Sequence, residues 1–153
     1  MKIVSGQSIL DFVKNHINLE KQLHSESINL TIKSIYEIQS KGRIDFGGSE
    51  FVIGNRKEIT PVKEKPDDKL GWWDLPHGDY LIVFNEKVHL IKGYIGILQP
   101  LERLIVNGTT HESVMITSNV DKVEANLRVG RSGLMIKQNA RISNLIIFKV
   151  DQI

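Results

Sequence analysis

The chemically capable side chains of this 153-residue chain are five histidines, 18 acids and 20 lysines or arginines. Their spacing excludes more chemistry than it supports. His16, His24, His77, His89 and His111 show none of the close spacings that bring two imidazoles onto one metal ion. In an extended segment, His111 and Glu112 point to opposite faces. No metal site is expected on these grounds. The chain contains no cysteine, which removes disulfide frameworks, thiolate zinc sites and thiol nucleophiles. It also carries no phosphate-binding glycine loop, no nucleophile elbow and no recognisable pair of catalytic carboxylates. Glu102, Glu112 and Glu124 stand apart from one another, as solvated surface acids do.

The cations are less evenly spread. Net charge is only +2, with a pI near 8.8, which does not by itself imply a nucleic-acid partner and does not exclude one. After Glu124, however, Arg128, Arg131, Lys137, Arg141 and Lys149 all precede the next acid, Asp151. A locally positive last quarter could grip a polyphosphate or another anion, or could simply face water.

These side chains must be positioned by a β framework. The closing segment Gly133 to Val150 reads as strand, polar turn at Gln138-Asn139, and strand. Its second half, Leu145 to Phe148, is apolar without alternation, which predicts a strand covered on both faces inside a sandwich or barrel. Upstream, Ile28, Leu30 and Ile32 alternate with Asn29, Thr31 and Lys33. Glycines 42, 47, 48 and 54 punctuate short pieces such as Ile44-Asp45-Phe46 and Glu50 to Ile53, which suggests hairpins. Thr60 to Lys69, with two prolines and charges of both signs, predicts an exposed excursion. Further strands are expected at Tyr80 to Phe84, at Val88 to Ile91, at Tyr94 to Leu98, at Thr109 to Met115 and at Val123 to Val129. Pro100 to Gly108 reads as a bent connection. Only the N-terminus departs from this pattern. Ser8 and Asp11 resemble a capping box, and Ile9, Leu10, Phe12, Val13 and Ile17 share a helical face, predicting a short amphipathic helix over Ser8 to His16. Trp72-Trp73 offers large apolar faces for burial, for a subunit contact or for stacking a base.

The expectation is therefore an all-β, jelly-roll-like sandwich with a short N-terminal helix, a single domain over residues 1–153 without internal repeats. No apolar run approaches a membrane span, and the N-terminus turns polar too soon for a signal peptide, so a cytoplasmic protein is expected.

Three stretches together carry a family resemblance. Leu75-Pro76-His77-Gly78-Asp79-Tyr80 through Asn85-Glu86-Lys87-Val88 resembles the "L-x-P-G-x-Y-x-x-x-x-N-E-x-V" run of archaeal-type members of the dCTP deaminase and dUTPase family. Asn139-Ala140-Arg141-Ile142-Ser143-Asn144-Leu145 is similar to that family's closing "N-A-R-I-A-Q-L" strand, and Glu26 to Leu30 to its early "A-S-x-D-L" strand. The resemblance implies a distorted jelly roll, a homotrimer with active sites between subunits, and chemistry on deoxynucleoside triphosphates. That chemistry would be deamination of dCTP, or hydrolysis of dUTP with magnesium.

The departures fall at the positions of that chemistry. The family's "P-R-S-S-L-L-R-x-G" phosphate motif aligns with Pro100 to Gly108, where the arginines become Leu101 and Val106 and the serines become Glu102 and Arg103. A phosphate site works by converging charge-assisted donors on anionic oxygens, and a carboxylate there opposes it. The aspartate that would orient the attacking water aligns with Ile116, which cannot accept a proton. The base-pocket glycine and tyrosine align with Ser118 and Asn119, the deaminase glutamate with Asn126, and the closing glutamine with Asn144. The chain stops at Ile153, before any glycine-rich lid of the kind many dUTPases carry.

The expectation is a family member that has lost catalysis and binds a nucleotide, another anion or a protein partner as a trimer. Ligand contacts are expected from Arg103, Asn126, Arg128, Arg141 and Asn144, with no cofactor. The alternative is an active dUTP diphosphatase or dCTP deaminase that uses displaced residues, Glu102, His111 or Glu124, and magnesium.

Overall fold

The computed structural model describes residues 1–151. In chain order its strands are β1 (Lys2–Ile3), β2 (Val13–Lys14), β3 (Ile28–Ile38), β4 (Arg56–Glu58), β5 (Trp72–Leu75), β6 (Gly78–Phe84), β7 (Lys87–Val88), β8 (Tyr94–Pro100), β9 (Thr109–His111), β10 (Val114–Ile116), β11 (Glu124–Val129), β12 (Leu134–Lys137) and β13 (Arg141–Lys149). Two single-turn helices, α1 (Leu19–Gln22) and α2 (Glu102–Ile105), interrupt them.

Seven strands form one antiparallel path, β10-β8-β13-β3-β6-β11-β9, with β1 beside β13 and β4 beside β3. The path curls on itself because β3 serves both halves. Its first residues pair with β13, and after an irregularity between Ile32 and Ser34 the remainder pairs with β6 and β4. Such bulges bend a strand and raise its twist. The last strand of the path consequently comes back onto its first half, with His111 on β9 reaching Ser143 on β13. This is the jelly-roll expectation realised.

The alternation in β3, β6, β11 and β13 points Ile28, Leu30, Ile35, Ile82, Leu127, Leu145 and Ile147 into one core, each essentially free of solvent. Burial of each such side chain contributes about 1.5–3 kcal/mol. β13 is central, as its composition implied, yet only one of its faces is fully covered within the chain. Leu145 and Ile147 are buried, while Ile146 and Phe148 are half-covered.

Two local expectations are corrected. Ser8 to His16 is no α-helix: Gly6–Asp11 forms a 3-10 helix, and Val13 then pairs with Val88. The apolar spacing did mark core contacts, since Ile9, Phe12 and Val13 are buried. Strand pairing by a β-branched residue, followed by Asn15 at a φ of 65°, ends any helix there. The helical turn lies further on, at α1, where the Asn18 side chain accepts from the Lys21 N–H. The bent connection after Pro100 is likewise helical, containing α2, whose N-cap Leu101 is held by its N–H to the Ile142 carbonyl, 2.8 Å.

Candidate ligand-binding site

The sequence-expected ligand residues fall into two separate concavities. Arg103 on α2 and Arg141 and Asn144 on β13 line the first, of about 390 Å³, with His24, Asn29 and Glu102. Arg141 donates to the Lys21 carbonyl and to Asn29 Oδ1, both at 3.1 Å. Asn29 Nδ2 in turn donates to Asn144 Oδ1 at 3.2 Å. Two guanidiniums, two amides and one imidazole thus converge there, opposed by the single carboxylate of Glu102.

Joined to this concavity through Asn29 is a buried polar network that sequence reasoning did not single out as functional. Glu86 is fully buried. Its carboxylate accepts from the Thr31 N–H at 2.8 Å, the Thr31 hydroxyl at 2.6 Å and Gln22 Nε2 at 2.9 Å. Gln22, also buried, accepts from the Ile17 and Asn18 N–H groups through Oε1 and donates to the Asn29 carbonyl. Asn85 Nδ2 donates to Thr31 Oγ1 and to Asn139 Oδ1, 2.9 and 3.0 Å. Burial pushes the Glu86 carboxyl above its usual range, and the Thr31 and Gln22 donors partly oppose that rise. The residues of the Asn85-Glu86 and Asn139-Ala140-Arg141 motifs therefore form a scaffold. They lock α1, β3 and the turn before β13, where Asn139 has a φ of 64°, and so set the position of Arg141. Only the motif spacing hinted at this, because the partners are 54 to 64 residues apart.

The second concavity, about 310 Å³, is lined by Asp79, Thr110, His111, Glu112, Asn126 and Arg128. Arg128 Nε is paired with Asp79 Oδ1 at 3.2 Å on an exposed surface. His111 is 4% exposed, and burial lowers its pKa. Its Nδ1 lies 2.8 Å from the Glu112 carbonyl, which can only accept, so Nδ1 carries the proton. Nε2 then accepts from the Ser143 hydroxyl at 2.7 Å. Both ring nitrogens are occupied within the protein.

Glu124 belongs to neither concavity. It projects from β11 and pairs with Arg56 at 3.1 Å and Lys122 at 3.7 Å. Ile116, on β10 opposite Gly96 of β8, is buried in the core. Trp73 is buried, with its Nε1 donating to the Ile59 carbonyl, whereas the half-exposed Trp72 lies under Lys137. Among the described residues no three His, Asp or Glu side chains are gathered to hold a metal ion. Among the described residues, the side chains present thus gather no carboxylate set that would hold a magnesium ion by itself.

A curled antiparallel sheet whose buried motif residues position a basic concavity defines a jelly-roll protein with a candidate anion-binding surface. A 2'-deoxycytidine 5'-triphosphate deaminase from Agrobacterium tumefaciens shares the fold, with a TM-score of 0.66 and 12% identity, over 95% of this chain and 47% of that one. This chain therefore spans about half the length of that protein. No family model matches the sequence. A probable deoxyuridine 5'-triphosphate nucleotidohydrolase of Methanosarcina acetivorans is 31% identical over 147 residues, covering 95% of this chain and 82% of the relative. A protein of the same description from Archaeoglobus fulgidus is 25% identical over 158 residues, 98% and 89% of the two chains. The chain belongs to the dUTPase family, as its three motifs implied.

Proposed function

We propose that this chain is a cytoplasmic, single-domain, trimeric member of the dUTPase family that has lost hydrolysis and deamination and retains binding of a nucleotide or related anion. The observation that carries this reading is the buried apolar side chain of Ile116 at the position aligned with the water-orienting aspartate. A catalytic base must come within hydrogen-bond reach of its proton, and an isoleucine in the core supplies nothing to receive one. The other candidates do not replace it within one chain: His111 is occupied at both nitrogens and Glu124 is held by two cations. Arg103, Arg141 and Asn144 remain as anion contacts, and Asn126 and Arg128 would complete a site only if a neighbouring subunit brought the second concavity to the first.

Self-association is supported by the outer sheet face. Cross-strand register aligns Met115, Ile97 and Ile146 in one row and Ile95, Phe148 and Ile3 in the next. Met115 and Ile3 are exposed, and the other four are only partly covered. An apolar face four strands wide is characteristic of a subunit contact.

A second reading, an active dUTP diphosphatase, is favoured by the names of the relatives at 30% identity or above along most of the chain. Glu102 of one subunit would then act beside the second concavity of another. Purified protein incubated with dUTP or dCTP and magnesium separates the two readings. The expected result is no pyrophosphate and no uracil nucleotide, with binding heat for at least one nucleotide at low salt. Turnover above a few per minute overturns the non-catalytic reading, and absence of heat with every nucleotide removes its ligand half.

A further inference from the structure

Between β3 and β4 the chain makes an excursion, residues 39–55, that carries its most exposed apolar side chains. Phe46 and Ile44 are 109% and 90% exposed, and Phe51, Val52 and Ile53 are each about half exposed or more. Flexible loops expose apolar groups in passing, but this one is braced. The Arg43 and Val52 backbones exchange hydrogen bonds of 2.9 and 3.0 Å. The Asp45 carboxylate accepts from the Gly48 N–H at 3.0 Å and the Glu50 N–H at 2.8 Å, an Asx-type closure of the tip. At the base, the Asn55 N–H donates to Ser40 Oγ at 2.7 Å, and the Gln39 N–H to the Asn55 carbonyl at 2.7 Å. Gly54 packs so closely on the Ser40 carbonyl that a Cβ would lie 2.2 Å from its oxygen. The excursion is a preorganised arm whose apolar tip is left uncovered by the described residues of its own chain.

We propose that this arm docks on the outer sheet face of a second copy of the chain, against the rows formed by Met115, Ile97, Ile146, Ile95, Phe148 and Ile3. The inference rests on the assembly reading above and assigns the surfaces that build it. Three observations select a second copy as the occupant. The same chain carries both an apolar projection and an unpartnered apolar sheet face. The five arm side chains expose apolar area on the order of 600 Å², near the roughly 800 Å² per partner of a stable interface. The two surfaces differ, so the contact can repeat head-to-tail, and where the rotation between copies closes such a repeat forms a ring of the kind a trimer requires. Bracing of the arm means that little entropy is lost on docking, which is what a permanent interface uses.

The absence of native cysteine makes the contact directly testable. Chains carrying only Phe46→Cys are unfolded together with chains carrying only Met115→Cys under reducing conditions, refolded as mixed oligomers and then exposed to a mild oxidant, and each variant is also refolded and oxidised alone. The mixture is expected to give a disulfide-linked dimer, and neither variant alone should do so. In parallel, Ile44→Asp with Phe46→Asp, both fully exposed sites, should convert the oligomer to monomer in sedimentation at micromolar protein with unchanged circular dichroism. The outcomes are separable. A monomeric wild type refutes the assembly reading and this contact with it. An oligomer that survives the double substitution and gives no mixed disulfide refutes the arm contact alone. Cross-linking of Phe46→Cys with itself refutes it in favour of arm-to-arm pairing.

Discussion

Replacing Glu86 with alanine removes the acceptor on which α1, β3 and the turn before β13 converge. Three donors lose their partner: the Thr31 N–H, the Thr31 hydroxyl and Gln22 Nε2. The hydroxyl can rotate, but the backbone N–H and the amide cannot turn away, since Gln22 is fixed at its other end by the Ile17 and Asn18 N–H groups. At about 1–3 kcal/mol per stranded buried donor, the expected loss is about 4 kcal/mol. That corresponds to a melting temperature lowered by about 10 °C for a chain of this size. Glu86→Gln keeps an acceptor for the Thr31 N–H but sets one amide NH2 against that of Gln22, and should cost about 1–2 kcal/mol. Urea titrations at matched protein concentration measure both. The pH dependence supplies a second readout. Burial raises the folded carboxyl above its ordinary value of 4.5, so the folded state holds that proton more tightly than the unfolded chain does. The group's contribution is complete below 4.5 and is lost as pH rises through the folded pKa. Wild type should therefore gain stability relative to Glu86→Gln as pH falls from 7 toward 4.5. A loss under about 1 kcal/mol for the alanine variant, or a wild-type advantage that does not change across that window, would refute the account of the network.

His111 should titrate below its ordinary 6.5 and appear in NMR spectra as the neutral Nδ1–H tautomer at pH 7; its stability contribution, present above 6.5, should erode as pH falls below it. Gly130→Ala should destabilise the fold by about 1–3 kcal/mol in denaturant titrations, because a Cβ there would lie 2.5 Å from the Gly108 carbonyl oxygen. Asn139→Ala should cost about 2 kcal/mol through left-handed strain and the lost contact from Asn85, and Asn139→Gly should recover the strain alone. Equal losses for those two variants would show that the turn's backbone conformation contributes nothing.

Short-range pattern determined most of the fold. Alternation in β3, unbroken apolar runs in β6 and β13 and glycine or asparagine punctuation between them are local properties that any burying sheet must respect. The motifs around Asn85-Glu86 and Asn139-Ala140-Arg141 also placed the chain in its family, though not what those residues do. The N-terminal stripe misled because an apolar spacing records burial and not backbone type; pairing of Val13 with Val88, 75 positions away, decided the matter. The site needed tertiary structure for the same reason. Arg103 and Arg141 meet only because α2 is tied to β13, and Arg128 lies apart from Arg141 only because β11 and β13 run in different parts of the curl. Charge counted along the chain put Arg128 and Arg141 in one basic quarter, whereas three-dimensional register divided them between two concavities. Burial of Glu86 and exposure of Phe46 were equally invisible, since whether a carboxylate finds three donors, or an aromatic ring finds no neighbour, depends on residues far away in sequence.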